Sequence, residues 1–322
     1  MADQPTPNTD KTRRFQYLDV VRGIAATAVV ATHIFELGIP GFRQITSAGC
    51  NLGLLGVLLF FIVSGTVISA SVERAPSLKV FWLQRFWRLF PAYWASLIFS
   101  AALFLIVPAE LNYAIYGSIK ERFWSSFAAN TTMLQGFIGF DHFVPAYWTL
   151  GFEMMFYFAL SLFFLTKLGR HSHQVLWVIS GLIMFASIYG YLKGGHVGSF
   201  KLTLCGYFWL GIWVHRFLKN EVSSKHFWIA LMVFQISVVS TLYVNFNLFP
   251  AKLQEAYSEH PFSPVAMLTA YLGATAFDQK VSPFEFTFVT VGMTIILTHL
   301  SYIFIEKPSL SKVKSIKLKT SG

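Results

Sequence analysis

Eight apolar runs dominate this chain and leave almost no other way to fold it. They are Val20 to Ile39, Leu52 to Ala70, Leu89 to Val107, Trp148 to Thr166, Val175 to Leu192, Leu202 to Phe217, Phe227 to Phe249 and Phe284 to Ile305. Each approaches the ~20 residues that a helix needs to cross a hydrocarbon core about 30 Å thick. In that medium a segment must satisfy its own backbone N–H and C=O groups, so a spanning run of this kind folds as a helix. Only 12% of the 322 residues are charged, whereas a soluble domain carries roughly 25%, and a water-exposed surface cannot be built from that supply. The 34 Phe and 9 Trp residues suit lipid-facing and interfacial positions. The expected fold class is all-α, a polytopic transmembrane helical bundle.

Two weaker segments, Phe123 to Phe140 and Pro264 to Phe277, are shorter or more polar, so the expected count runs from eight to ten spans. The basic stretches discriminate, because Lys and Arg concentrate on the cytoplasmic side. With eight spans, Arg74 to Arg88, Lys167 to His173, His215 to Lys225 and Lys307 to Lys319 all face the cytoplasm, as do both termini. Ten spans also keep both ends inside but turn the Lys167 and Lys219 loops outward, so the weak segments are expected to be partial or re-entrant. The same clustering explains the net charge of +10 without a nucleic-acid-binding face. Residues 1–14, rich in Pro, Thr, Asn and Asp, are expected to form a flexible cytoplasmic tail, 15–306 one membrane domain, and 307–322 a basic cytoplasmic tail. The first run lacks an A-x-A site and leads directly into further spans, so a retained helix is expected rather than a cleaved signal. Cys50 and Cys205 show neither metal-ligand spacing nor a disulfide framework.

Ionisable residues inside spans are costly, and each is a functional hypothesis. His33 lies roughly 20 Å along a helix entering the bilayer near Val20, beyond the midpoint. It is either a functional group or a neutral histidine satisfied by a neighbouring helix. Arg22 lies close to three turns earlier on the same face, about 16 Å away, a separation that a long ligand could bridge. Asp19, one turn before Arg22, reads as its juxtamembrane ion-pair partner. His33 and Glu36 also share a face, but no second ligand pair with matching spacing occurs, so a metal site is not expected. Arg85 and Arg88 sit one turn apart between Phe81 and Pro91, among Trp82, Phe86, Trp87 and Phe90. They are either donor forks suited to phosphate or chains snorkelling to the interface. Trp148-Thr149-Leu150-Gly151-Phe152-Glu153 places a carboxylate in an aromatic span, as a functional group or as the buried partner of an arginine. Ser64-Gly65 reads as a site of close helix packing, and no elbow motif marks Ser64 as a nucleophile. His299 and Glu306 share one face of the last run and admit a structural reading.

In content and in order these residues resemble the acyltransferase 3 family of membrane O-acyltransferases, many of which acetylate bacterial surface polysaccharides. The resemblance is carried by Leu18-Asp19-Val20-Val21-Arg22-Gly23-Ile24-Ala25 leading to His33, by Phe60-Phe61-Ile62-Val63-Ser64-Gly65, and by Arg85 and Arg88 before Pro91. It continues through Asn130-Thr131-Thr132-Met133-Leu134-Gln135, then Tyr147 to Glu153 with Phe156-Tyr157, and closes at Glu306-Lys307-Pro308. One departure precedes the last run. The family usually has a Ser-Tyr-rich span ending in a His-x-Pro-like element, whereas here Thr269 to Phe277 runs into Asp278-Gln279-Lys280, and Tyr257 to Pro261 is a faint echo.

The resemblance implies that His33 is the catalytic histidine, that Arg22 completes an arginine-histidine motif, and that Arg85 and Arg88 are the paired arginines that bind the acyl donor. Glu153 would orient His33 or an arginine, with Asp19, Ser64, Trp148 and Glu306 in supporting roles. It further implies acyl-coenzyme A, acetyl-coenzyme A by family frequency, as donor substrate with no bound cofactor, a carbohydrate or glycolipid acceptor, and a multi-pass place in a bacterial inner membrane. His33 would act as general base towards the acceptor hydroxyl or be acylated itself. The rival reading is a transporter or flippase whose His33 and Arg22 line a solute path. It calls for internal repeats and matched helix breaks, and neither is visible.

Overall fold

Helices α1 (Pro7–Gly38), α2 (Leu52–Arg74) and α3 (Leu78–Ile106) open a computed structural model that describes residues 7–39, 42, 52–106, 117–166, 171, 173–193, 199–248, 307–308 and 311. Two short helices follow, α4 (Gly117–Glu121) and α5 (Phe123–Asn130), then 3-10 turns at Gln135–Phe137 and Pro145–Tyr147. Helices α6 (Trp148–Leu165), α7 (Val175–Lys193), α8 (Phe200–Leu218) and α9 (Ser224–Leu248) complete the described part. Among the described residues there is helix and no strand. Helices α2, α3, α6 and α7 are long and apolar enough to cross a membrane. At 23 residues, α2 alone extends about 34 Å. The protein is a helical membrane protein.

Two boundaries differ from the sequence expectation. Helix α1 begins at Pro7, where the sequence expects a flexible tail as far as Arg14; proline's fixed φ and missing donor suit a first helical turn. The Arg74 to Arg88 stretch is not a loop, because only Ala75 to Ser77 interrupts the helices and α3 runs unbroken through both arginines and Pro91. Leu, Lys, Gln and Arg are good helix formers, and membrane helices tolerate an interior proline. The Phe123 to Phe140 segment holds an eight-residue helix and a 3-10 turn; about 12 Å of helix cannot cross the hydrocarbon. Pro264 to Phe277 and Phe284 to Ile305 lie outside the described residues.

The chain divides into two compact units, one of Met1–Ala70 with Phe163–Tyr257, the other of Ser71–Leu162 with Ser258–Gly322. In the first, α2 and α8 meet backbone to backbone. A methyl group on Gly65 would overlap the Phe208 carbonyl oxygen and lie 3.1 Å from the Gly211 Cα. Small residues at a crossing allow this approach. The Thr66 hydroxyl uses it, lying 2.9 Å from the Ile62 carbonyl oxygen and 3.0 Å from that of Gly211. Ser187 and Thr241 join α7 to α9 through their hydroxyls at 2.5 Å, and the Phe234 ring occupies the space that a side chain at Gly206 would need. At the end of α8, Arg216 and Lys219 both close on Glu221. Burial pushes that carboxyl upward, but the hydrogen bonds and charges of Lys219 and Arg216 outweigh it and hold Glu221 below the usual carboxylate range.

In the second unit, one side chain organises the connection between α5 and α6. Asn130 is fully buried; its amide nitrogen donates to the Ser126 carbonyl at 2.8 Å and the Asp141 carbonyl at 2.9 Å, and its amide oxygen accepts from the Phe143 N–H at 3.3 Å. Its backbone carbonyl accepts from the Tyr93 hydroxyl at 2.5 Å, tying the connection to α3. The chain turns at Met133, whose φ of 62° is uncommon for a residue with a side chain, and Gly151 at the start of α6 lets the Met133 carbonyl approach. These ties position α6, which carries Glu153, beside α3, which carries Arg85.

Candidate functional site

Among the described residues of the second unit, the buried charges lie on α3 and α6. Arg85 is 7% exposed, and a buried guanidinium needs partners that replace water. Its Nη2 donates to the Ser71 hydroxyl at 3.1 Å, and its Cζ lies 5.6 Å from the Phe81 ring centre and 5.9 Å from that of Tyr157, within cation-π range. Its Nε is buried without a hydrogen-bond partner. Glu153, also buried, accepts the Tyr157 hydroxyl at 2.5 Å. One tyrosine therefore stands between the carboxylate and the guanidinium, with its hydroxyl on Glu153 and its ring against Arg85. Trp82 fixes this ring from another side; its centroid is 6.1 Å from that of Tyr157, and its Nε1–H donates to the Ser161 hydroxyl at 3.1 Å.

Beside Arg85 opens a cavity of about 420 Å³, lined by Lys79, Trp82, Leu83, Arg85, Phe86 and Phe90 of α3 and by Met154 of α6. All its walls are apolar apart from the two cations. Arg88, one turn further along α3, is exposed and does not line it, so the two arginines that the sequence pairs stand in different surroundings. Trp148, at the start of α6, packs its ring against Phe152, centroids 5.9 Å apart.

In the first unit, α1 carries both Arg22 and His33 on one unbroken helix. The Arg22 guanidinium lies over the Phe60 ring of α2, 5.9 Å from its centre. The His33 side chain is 67% exposed, with Nδ1 3.9 Å from the Glu36 Oε2; that is ion-pair reach but too long for a hydrogen bond. At that exposure the described helices do not enclose the His33 ring. Ser64 is buried, its hydroxyl without a hydrogen-bond partner, beside the Gly65 crossing. Asp19 lies on α1 before Arg22, while His299 and Glu306 lie outside the described residues.

The roles of three residues in and beside the α3–α6 cluster are not assigned by the sequence pattern. Lys79 reads as one of many basic residues, although it shares a face with Trp82, Leu83, Phe86 and Phe90 at intervals of three, four, seven and eleven. Tyr157 stands four residues after Glu153, the spacing of helical neighbours, so the pair is legible once α6 is recognised as a helix. Ser71 has no local signal, because its role depends on where α2 ends.

An acyltransferase domain model matches residues 15–302. The chain belongs to the acyltransferase 3 family. It is 24% identical to Acyltransferase MdmB of Streptomyces mycarofaciens over 177 residues, covering 52% of this chain and 44% of that protein. It is 23% identical to Peptidoglycan O-acetyltransferase OatA of Listeria monocytogenes over 187 residues, 54% of this chain and 29% of that one. Nodulation protein 10 of Rhizobium leguminosarum is 29% identical over 161 residues, 44% and 42% of the two chains. The chain thus spans less than half the length of each of these relatives. No solved structure matches it. The membrane domain of this family member is an acyltransferase domain.

Proposed function

We propose that the protein is a membrane O-acyltransferase that moves an acyl group, acetyl by preference, from acyl-coenzyme A to a hydroxyl of a cell-surface carbohydrate or glycolipid. The observation that carries this reading is Arg85, a buried cation at the edge of an apolar cavity in a chain of an acyl-transfer family. A donor of this class joins anionic phosphates to a long neutral arm, and that cavity offers a place for each. Arg85 and Arg88 engage the phosphates, Arg85 from a water-poor setting where charge-assisted hydrogen bonds are strong. Glu153 acts through Tyr157, which holds the Arg85 guanidinium in place, and Arg22 supports donor binding on α1. His33 is the general base. It takes the proton of the acceptor hydroxyl as the hydroxyl oxygen bonds to the thioester carbonyl carbon. The C–S bond then breaks, and the departing thiolate takes up that proton. The protein is read with eight spans and both termini on the cytoplasmic side of a bacterial inner membrane, where acyl-coenzyme A is found. The similarity to a protein named as a peptidoglycan O-acetyltransferase supports a surface-glycan acceptor.

The test uses membranes from the native host, which contain the acceptor, and acetyl-coenzyme A labelled in the acetyl group. Wild type transfers label to a base-labile ester on the glycan fraction; His33→Ala loses at least about 100-fold, the contribution of a general base. Arg85→Ala raises the apparent KM for the donor, the signature of a contact made equally in ground and transition states. Equal labelling by wild type and His33→Ala rejects the mechanism, and uptake of labelled solute without an ester product favours a transporter.

A further inference from the structure

Lys79 is the residue at the donor cavity that the family resemblance leaves without a role, and its position on α3 is electrostatically costly. Ser77 accepts the Val80 N–H at 3.3 Å, so Ser77 caps the helix and Lys79 stands in its first turn. The first turn of α3 holds no acidic residue. A cation beside the positive end of a helix dipole is placed against its preference, whereas an anion bound there would meet both the lysine and the positive end of the dipole. Lys79 is exposed yet lines the same cavity as the buried Arg85. Six residues separate them, about 9 Å along the axis.

We propose that Lys79 binds the 3′-phosphate of coenzyme A, while Arg85 holds the diphosphate that joins the nucleotide to the pantetheine arm. This rests on the acyl-coenzyme A reading above. The division follows from the two side chains and their surroundings. A phosphomonoester carries about −1.5 to −2 charges at pH 7 and stays at the wet end of the site, where a compact, hydrated ammonium group matches it. The diphosphate lies further in, where a planar guanidinium offers fixed donors without a shell of water. Trp82, Phe86 and Phe90 continue the apolar wall beyond Lys79 along the same face, leading the neutral arm away from the charged end. A phospholipid headgroup shares the phosphate chemistry, so the test must separate the two sources.

The experiment measures binding of coenzyme A and of 3′-dephospho-coenzyme A to the purified full chain in one detergent, for wild type, Lys79→Ala and Lys79→Arg. Wild type should prefer coenzyme A by about 10-fold, worth about 1.4 kcal/mol. Lys79→Ala should lose that preference, binding both ligands with the wild-type affinity for the dephospho form, and Lys79→Arg should keep most of it. An unchanged preference in Lys79→Ala overturns the proposal. So does an equal weakening towards both ligands, which would assign Lys79 to the diphosphate or to lipid. If wild type binds neither ligand while its melting temperature is normal, the donor reading itself fails; if it binds coenzyme A without the preference, only the lysine assignment fails. Lys79 is exposed, and equal melting temperatures of the three proteins confirm that they fold alike.

Discussion

Replacing Gly65 with alanine tests the α2–α8 crossing directly. The added methyl would lie 3.1 Å from the Gly211 Cα and overlap the Phe208 carbonyl oxygen. Both obstacles are backbone, so neither can rotate away. Carbon atoms rest about 3.5–4.0 Å apart, and the Phe208 carbonyl oxygen is the tighter of the two obstacles, so the two helices must separate by about 1 Å. Overpacking of this kind costs about 1–3 kcal/mol. The same movement lengthens the Thr66 to Gly211 hydrogen bond, now 3.0 Å, and removes about 1 kcal/mol more. Alanine recovers about 1 kcal/mol over glycine through helix propensity, leaving a net loss of about 1–3 kcal/mol, or about 5- to 150-fold in the folding equilibrium. Reversible unfolding in mixed micelles, followed by tryptophan fluorescence, reads this shift. Gly181→Ala is the control, because nothing lies within 4 Å of its added methyl and only the favourable propensity change remains. Gly65→Ala as stable as Gly181→Ala would refute the close crossing.

Acidification should weaken the connection between α5 and α6. Burial holds His142 below the usual histidine value, with the Asp141 charge pulling the other way, and its Nδ1 lies 2.6 Å from the Gln135 Nε2, so the neutral ring accepts from the amide and a protonated ring would set N–H against N–H. The folded value is depressed, so this contribution is fully present above the unfolded value of about 6.5 and is lost as pH falls through the folded value; the melting temperature should drop more between pH 7.5 and pH 5 in wild type than in His142→Gln, and equal drops would contradict the assignment. For the eight-span arrangement, Ile138→Cys in the exposed turn after Gln135–Phe137 should react with an impermeant maleimide from outside intact cells, and Ser223→Cys only after permeabilisation. The reverse pattern would invert the proposed topology.

The long apolar runs were the most legible part of the chain. Leu52 to Ala70, Trp148 to Thr166 and Val175 to Leu192 reappear as α2, α6 and α7 with ends shifted by a few residues, because hydrocarbon leaves the backbone no alternative. The Leu78 to Arg88 stretch was less legible, since its charges mark a membrane surface and say nothing about whether the helix stops there. The Asn130 clasp was hidden for a different reason. Its partners at Asp141 and Phe143 are set by the path of the chain after Met133, and no periodic pattern encodes a turn of that kind. At the site, Glu153 stood out because a carboxylate among aromatics is conspicuous. Tyr157 did not, because a tyrosine among aromatics is ordinary, and only the geometry shows its hydroxyl on one charge and its ring on the other.

The enclosure of Arg85 has a consequence for how the protein responds to ionic strength. Mobile ions screen charges that water can reach and act much less on buried ones. Arg85 lies against the paired Phe81 and Tyr157 rings and donates to Ser71, whereas Lys79 is exposed at the same cavity. If both cations bind an anionic donor as proposed, added salt should loosen the grip of Lys79 before it reaches Arg85, dividing a single binding event into a salt-sensitive capture and a salt-resistant hold.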